Sequence, residues 1–261
     1  MTKILFPTDF SKTANNAFLY ALHLANALNF EIKLVSIHSS LTKHLEIIEE
    51  NFNSHIEGLI KLAKDNGLEH VKIESSMIIG DLLLTILEII DRNDIDFVVM
   101  GTNGENSFDK KLFGSNTVNV INNSPVPVLA VPSNVHYKKE RNFAYATLFN
   151  EKENHAIQEM LRFTTRNDTT LKIVHVENKL LTQDMLATKE YWENNYQGIQ
   201  ILIENSEDVE TGLINFCRRN KIDVLGITHR ELSFLKRFFS TNHSNQLIQI
   251  GDIAIVVFKE P

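Results

Sequence analysis

Cysteine is almost absent: Cys217 stands alone among 261 residues. A single thiol excludes an internal disulfide framework and a multi-cysteine metal site. Its neighbours Leu213, Ile214 and Phe216 recur at helical spacing, so a buried and inert thiol is expected. Basic blocks are missing as well. The densest clusters are pairs, Lys138-Lys139 and Arg218-Arg219, and the formal net charge is −7. Nucleic acid finds no electrostatic footing on such a chain and is not expected as a partner. No apolar run approaches the roughly 20 residues of a membrane span. Met1-Thr2-Lys3-Ile4 runs directly into an apolar strand, which leaves no room for a leader, so no membrane partner and a cytoplasmic location are expected. Ten histidines are present, but neither a His-x₃-His pair nor His-Glu-x-x-His occurs. A Gly-x-Ser-x-Gly elbow is also missing. Glycine is scarce at ten residues, yet three of the ten fall between positions 101 and 114.

What is present is a rhythm. Hydrophobic residues make up 43% of the chain, ample for a packed core. Residues 3–8 read as a strand that stops at Pro7, and Ser11 as the N-cap of a helix to about Leu28. Further strands are expected over 32–37, 71–79, 96–100 and 126–131. Helices fall between them over 41–65, after Gly80-Asp81, and from about Val118. Apolar strands alternating with helices indicate a mostly parallel α/β sheet covered on both faces. Residues 134–141 are polar and charged and read as a linker. The rhythm then restarts, with strands over 142–147, 170–176, 199–203, 222–228 and 253–258 and helices between, the last over 241–249. Arg92-Asn93-Asp94-Ile95-Asp96 is answered by Arg219-Asn220-Lys221-Ile222-Asp223, and Ser107-Phe108 by Ser233-Phe234. The expectation is two tandem domains, 1–133 and 142–261, from one duplicated unit.

The candidate chemistry lies in Met100-Gly101-Thr102-Asn103-Gly104 and, nine residues on, Gly114-Ser115-Asn116-Thr117. The stretch follows an apolar strand and opens a helix. Glycine lets a ligand approach the main chain, and a Gly-Ser pair opening a helix offers unpaired N–H groups at the positive end of the dipole. Phosphate binding is one reading; ordinary turn glycines after a strand are the other. Asp9 has two readings likewise, a ligand group or an acid favoured beside the helix start at Ser11.

The first half resembles the universal stress protein family. The resemblance is carried by Pro7-Thr8-Asp9-Phe10-Ser11, by Gly101-x-x-Gly104-x₉-Gly114-Ser115, and by Ser124-Pro125-Val126-Pro127-Val128-Leu129-Ala130-Val131. The spacing is that of the ATP-binding branch. The resemblance implies two five-stranded parallel sandwiches of the adenine nucleotide alpha hydrolase-like type, with strand order 3-2-1-4-5. It implies adenine nucleotide, ATP with Mg²⁺ or Mn²⁺, at the carboxyl ends of strands 1 and 4. Pro7 and Met100 would border that site. Asp9 would meet the ribose, and the main chain over 35–37, beginning at Val35, the adenine. Gly101 and Gly104 would let the backbone wrap the ribose and phosphates. Gly114, Ser115 and Thr117 would bind phosphates, with Asn116 contributing its backbone. No Walker-type lysine motif occurs. Adenylating pyrophosphatase relatives carry Ser-Gly-Gly-x-Asp-Ser where this chain has Thr8-Asp9-Phe10-Ser11-Lys12, which counts against that activity.

The second half resembles the same fold without the motif. Gly101 is answered by Thr228 in one register and Ile227 in another, Gly104 by Glu231 or Arg230, Gly114 by Ser240, Ser115 by Thr241, and Asp9 by Leu148. That half is expected not to bind ATP and to act as an intramolecular pseudo-dimer partner, with a homodimer of the whole chain left open. Trp192, Tyr191 and Tyr196 are expected at the interface between the halves. The function expected is a stress-response regulator that binds ATP in its first domain, contacts an unknown protein partner and hydrolyses ATP slowly or not at all. A nucleotide-independent scaffold and a slow ATP phosphohydrolase are the alternatives.

Overall fold

The computed structural model describes residues 3–38, 45–102, 114–138, 141–165, 169–177, 180–228 and 253–259. Gly104, the second-half positions 230, 231, 240 and 241, and the helix expected over 241–249 lie outside them. The chain divides into two compact units, Met1–Tyr137 and Lys138–Pro261.

The first unit runs β1 (Lys3–Pro7), α1 (Lys12–Leu28), β2 (Glu31–His38), α2 (Leu45–Asp65), β3 (Ile73–Ile79), α3 (Leu82–Arg92), β4 (Ile95–Gly101), α4 (Ser115–Asn123) and β5 (Val128–Val131). Its strands neighbour in the order β3-β2-β1-β4-β5, and the pairings are parallel. That is the order the resemblance implied. All four residues of β5 are buried, so both faces of the strand are covered. α1 packs on β4, and Phe18 from α1 meets Phe6 of β1 with ring centroids 5.1 Å apart.

The local signals act as read. Ser11 Oγ accepts the Ala14 N–H at 3.1 Å and caps α1, and Asp81 Oδ1 accepts the Leu84 N–H at 3.0 Å and caps α3. Gly67 ends α2 with φ +68°. Two strands start later than expected. β5 begins at Val128 because Pro127 has no N–H, while Ser124 Oγ donates to the Val126 carbonyl at 2.7 Å and holds the preceding residues in a turn. β3 begins at Ile73; Val71 is buried, but its N–H donates to the Leu68 carbonyl in a turn. Residues 134–137, read as linker, pack on α1: Asn16 Nδ2 donates to the Val135 carbonyl at 2.6 Å, and the His23 and Tyr137 rings stack at 3.6 Å.

The second unit runs β6 (Phe143–Ala146), a 3₁₀ turn (Glu151–Glu153), α5 (Asn154–Thr165), β7 (Leu171–Glu177), α6 (Gln183–Asn195), β8 (Ile199–Asn205), α7 (Val209–Arg219), β9 (Val224–Thr228) and β10 (Ala254–Phe258). Its order, β8-β7-β6-β9-β10, repeats that of the first unit. Ile4 pairs with Phe97 and Leu5 with Val98, while Phe143 pairs with Val224 and Ala144 with Leu225. The loop after β1 and the loop after β6 align at Thr8 and Thr147, which places Ile4 opposite Phe143. The ladder then equates Gly101 with Thr228, so the first of the two registers holds. Ile227 answers to Met100; both are buried strand residues. Trp192 is 0% exposed and packs within its own unit, 5.7 Å from the Phe149 ring, with its Nε1–H donating to Asn154 Oδ1 at 2.6 Å.

Candidate functional site at the end of strands one and four

Strand order reverses between β1 and β4, and ligands of open α/β sheets bind beyond the carboxyl ends of the strands at such a point. Two helix starts are drawn to it. A Cβ placed on Gly101 would sit 2.9 Å from Thr13 Cγ2 and 3.1 Å from the Thr13 backbone, so the end of β4 lies directly against the first turn of α1. The start of α4 is fastened to the same strand end. Thr102 carbonyl accepts the Gly114 N–H, and Thr117 Oγ1 donates to the carbonyls of Gly101 at 3.0 Å and Thr102 at 3.3 Å. The positive ends of both helix dipoles therefore meet at the switch point.

The sequence-predicted residues fall into distinct roles. Pro7 is buried at the end of β1. Asp9 is exposed, and its Oδ1 accepts the Ser11 N–H at 3.0 Å. The helix-start reading of Asp9 is thereby observed, and its second oxygen remains at the surface. Met100 is 6% exposed and belongs to the core of β4. Gly114 N-caps α4 with ordinary extended angles, φ −67° and ψ 158°. Ser115 and Asn116 are exposed, and the N–H groups over 115–117 have no intrahelical acceptor by the geometry of a helix start. Thr117 is 2% exposed, and its hydroxyl clamps the loop.

Val35 carries a shift of detail. Its carbonyl accepts the Thr8 N–H at 2.9 Å, so it is already used. In a parallel ladder the N–H and C=O of one residue point to the same neighbour, and the side alternates along the strand. Ile37 therefore faces the same side as Val35, where β1 has already ended at Pro7. Among the described residues Ile37 has no backbone partner there. The open main-chain edge of β2 is at Ile37.

Sequence reasoning gave no role to Thr8, Phe10, Thr13 or Thr102. Thr8 Oγ1 accepts the Phe10 N–H at 2.9 Å and sets Phe10 in the left-handed region, φ 58°. The Phe10 ring then stacks on His55 of α2 at 4.6 Å and meets Phe52 at 5.8 Å. Thr102 Oγ1 is buried without a hydrogen-bond partner among the described residues. The signal for Thr8 was the hydroxyl two residues before a backbone N–H at the end of a strand. The others depend on tertiary contacts.

No group of three His, Cys, Asp or Glu able to hold a metal occurs among the described residues. No helix among them is long and apolar enough to cross a membrane.

Comparison with known proteins follows the halves. Residues 1–132 match the Universal stress protein family. A universal stress protein of Methanocaldococcus jannaschii is 28% identical over 140 residues, covering 49% of this chain and 81% of that protein. The crystal structure of a universal stress protein from Archaeoglobus fulgidus aligns over 99% of this chain and 98% of its own, with 18% identity and a TM-score of 0.73, a likeness of fold. A universal stress protein solved in complex with cAMP aligns over 51% of this chain and 97% of its own, with 20% identity and a TM-score of 0.40. The family match spans half of the chain and contains every strand and helix of the first unit, so this chain belongs to the universal stress protein family.

Proposed function

We propose that the first unit binds one adenine nucleotide, ATP, at the β1/β4 switch point, and that the protein is a nucleotide-responsive regulator in a stress response. The observation that carries this reading is the start of α4. It is capped by a glycine, its first turn is exposed at Ser115 and Asn116, and it is bound to the end of β4 beside the start of α1. Phosphates would meet the N–H groups over 115–117, which needs no lysine. The ribose would meet the free oxygen of Asp9, and the base the open edge at Ile37. The Thr102 hydroxyl, without a partner among the described residues, is a further donor beside the loop. Mg²⁺ or Mn²⁺ would arrive on the phosphates, with Asp9 the nearby carboxylate. One Asp9 oxygen is committed to Ser11, and no other candidate base stands in the described part of the loop, so fast hydrolysis is not expected. In the second unit Leu148 and Thr228 stand where the first has Asp9 and Gly101, and that unit is proposed to leave ATP unbound.

Calorimetric titration with ATP, AMP and cAMP tests the reading. One ATP should bind per chain, and Gly114→Val should abolish binding while the apo protein stays folded, because the Gly114 backbone angles suit any residue. Affinity no tighter than about 1 mM would leave the nucleotide-independent scaffold as the better account, and binding indifferent to Gly114→Val would place the ATP away from the start of α4.

A further inference from the structure

The loop after β1 and the loop after β6 are built alike. Thr8 N–H donates to the Val35 carbonyl at 2.9 Å, and Thr147 N–H to the Val174 carbonyl at 2.9 Å. Thr8 Oγ1 accepts the Phe10 N–H at 2.9 Å, and Thr147 Oγ1 the Phe149 N–H at 2.7 Å. Phe10 has φ 58° and Phe149 φ 54°. The acid is what differs. In the first loop the Ser11 N–H is taken by Asp9. The second loop has Leu148 in the place of Asp9, and the matching N–H, that of Asn150, donates to Glu153 Oε2 at 3.1 Å. The Glu153 carboxylate also accepts the Thr147 hydroxyl at 2.5 Å and the Leu148 N–H at 3.2 Å. Glu153 is 2% exposed. Its counterpart, five positions after Asp9, is Ala14, which has no such reach.

An ordinary capping box would ask Glu153 to bond only the N-cap N–H. Here the carboxylate collects three donors in a buried setting, as an anion does in a backbone nest. A second group closes the neighbouring edge. His175 Nδ1 lies 2.8 Å from the Thr147 carbonyl, an acceptor only, so Nδ1 carries the proton and donates. The first unit has Ser36 at that position, whose hydroxyl lies 3.2 Å from His38 Nε2 instead. Phe149 packs between His175 at 5.0 Å and Trp192 at 5.7 Å and buries the arrangement.

We propose that Glu153 is the resident anion of the second switch point, its carboxylate standing in for that of Asp9 and satisfying the loop from within. With His175 it takes the Thr147 hydroxyl and carbonyl and the N–H groups of Leu148 and Asn150 within the unit. The second unit thus holds its loop without any ligand. This rests on the loop geometry and not on the nucleotide reading, although it explains why the second copy is proposed to leave ATP unbound.

Cys217 provides the readout, since it is the sole cysteine, lies in the second unit and is 3% exposed. Glu153→Ala strands one buried and two part-buried donors and should raise the rate of Cys217 labelling by a thiol reagent at least tenfold, with an unfolding midpoint lower by about 5 °C. Adding Leu148→Asp puts a carboxylate back at the Asp9 position and should recover at least half of both changes. Glu153→Gln with and without Leu148→Asp gives the same comparison if Glu153→Ala does not fold. Unchanged labelling in the single variants, or no recovery in the paired ones, overturns the proposal. ATP titration of the unaltered protein is a separate measurement, so failure of nucleotide binding would leave this result standing, and the reverse.

Discussion

Gly101 and Gly114 belong to one motif and obey different physics. At Gly101 any Cβ would press on the Thr13 methyl at 2.9 Å and on Thr13 backbone atoms at 3.1 Å, and backbone cannot move aside cheaply. Gly101 is thus required by the packing of α1 on β4, with or without ligand. At Gly114 the backbone is extended and the position is a helix cap, so a side chain there meets no backbone strain. Gly101→Val should destabilise the ligand-free protein by about 1–3 kcal/mol, the usual cost of overpacking. Gly114→Val should cost less, about 0.5–1 kcal/mol, because valine is a poorer N-cap than glycine. Denaturant unfolding of the two apo variants checks the contrast. Equal losses would mean that the two glycines share a single role.

The elements themselves were largely legible. Ser11, Asp81 and Asn66-Gly67 mark helix ends by chemistry confined to a few residues, and all act where the pattern placed them. The register of the second copy was not legible, because Thr228 and Ile227 both fit a short apolar strand; only ladder pairing with β6 decides between them. The candidate site stood out in the sequence as a glycine spacing and a strand-end Asp9. Its fastening did not, since the Thr117 clamp and the Gly101–Thr13 contact join elements far apart in sequence. Trp192 was misplaced for the same reason: an indole N–H needs a partner, and Asn154 of α5 supplies it inside the unit. At α7 the outcome matches the pattern and yields a pH dependence. Burial pushes the Cys217 thiol up from 9.0 to about 12. The unfolded thiol ionises first, so the folded state binds the extra proton and its stability is intact below pH 9. As pH rises from 9 towards 12, this one group should weaken the folding equilibrium of the second unit by roughly tenfold per pH unit. Comparing the slope with that of Cys217→Ala isolates it; identical slopes would place the thiol in water.

The loop after the first strand is built alike in the two units. Both copies keep the threonine clasp and a left-handed phenylalanine, so the backbone path was retained. What differs in this loop is the acid that meets its N–H groups, Asp9 in the first unit and Glu153 in the second. In the first unit the N–H groups over 115–117 and the main chain of Ile37 lack an internal partner among the described residues, whereas in the second the N–H groups of Leu148 and Asn150 already reach Glu153. Amide exchange reads this difference directly, because exchange needs an N–H free of its hydrogen bond. ATP should slow exchange over 115–117 and at Ile37 by an order of magnitude or more and leave positions 148 and 150 unchanged. Those two amides should already be slow in the apo protein, and Glu153→Ala should make them fast while the ATP effect on 115–117 persists. Protection by ATP at 148 and 150 would mean that the second loop also meets the ligand, and the division of labour between the copies would be wrong.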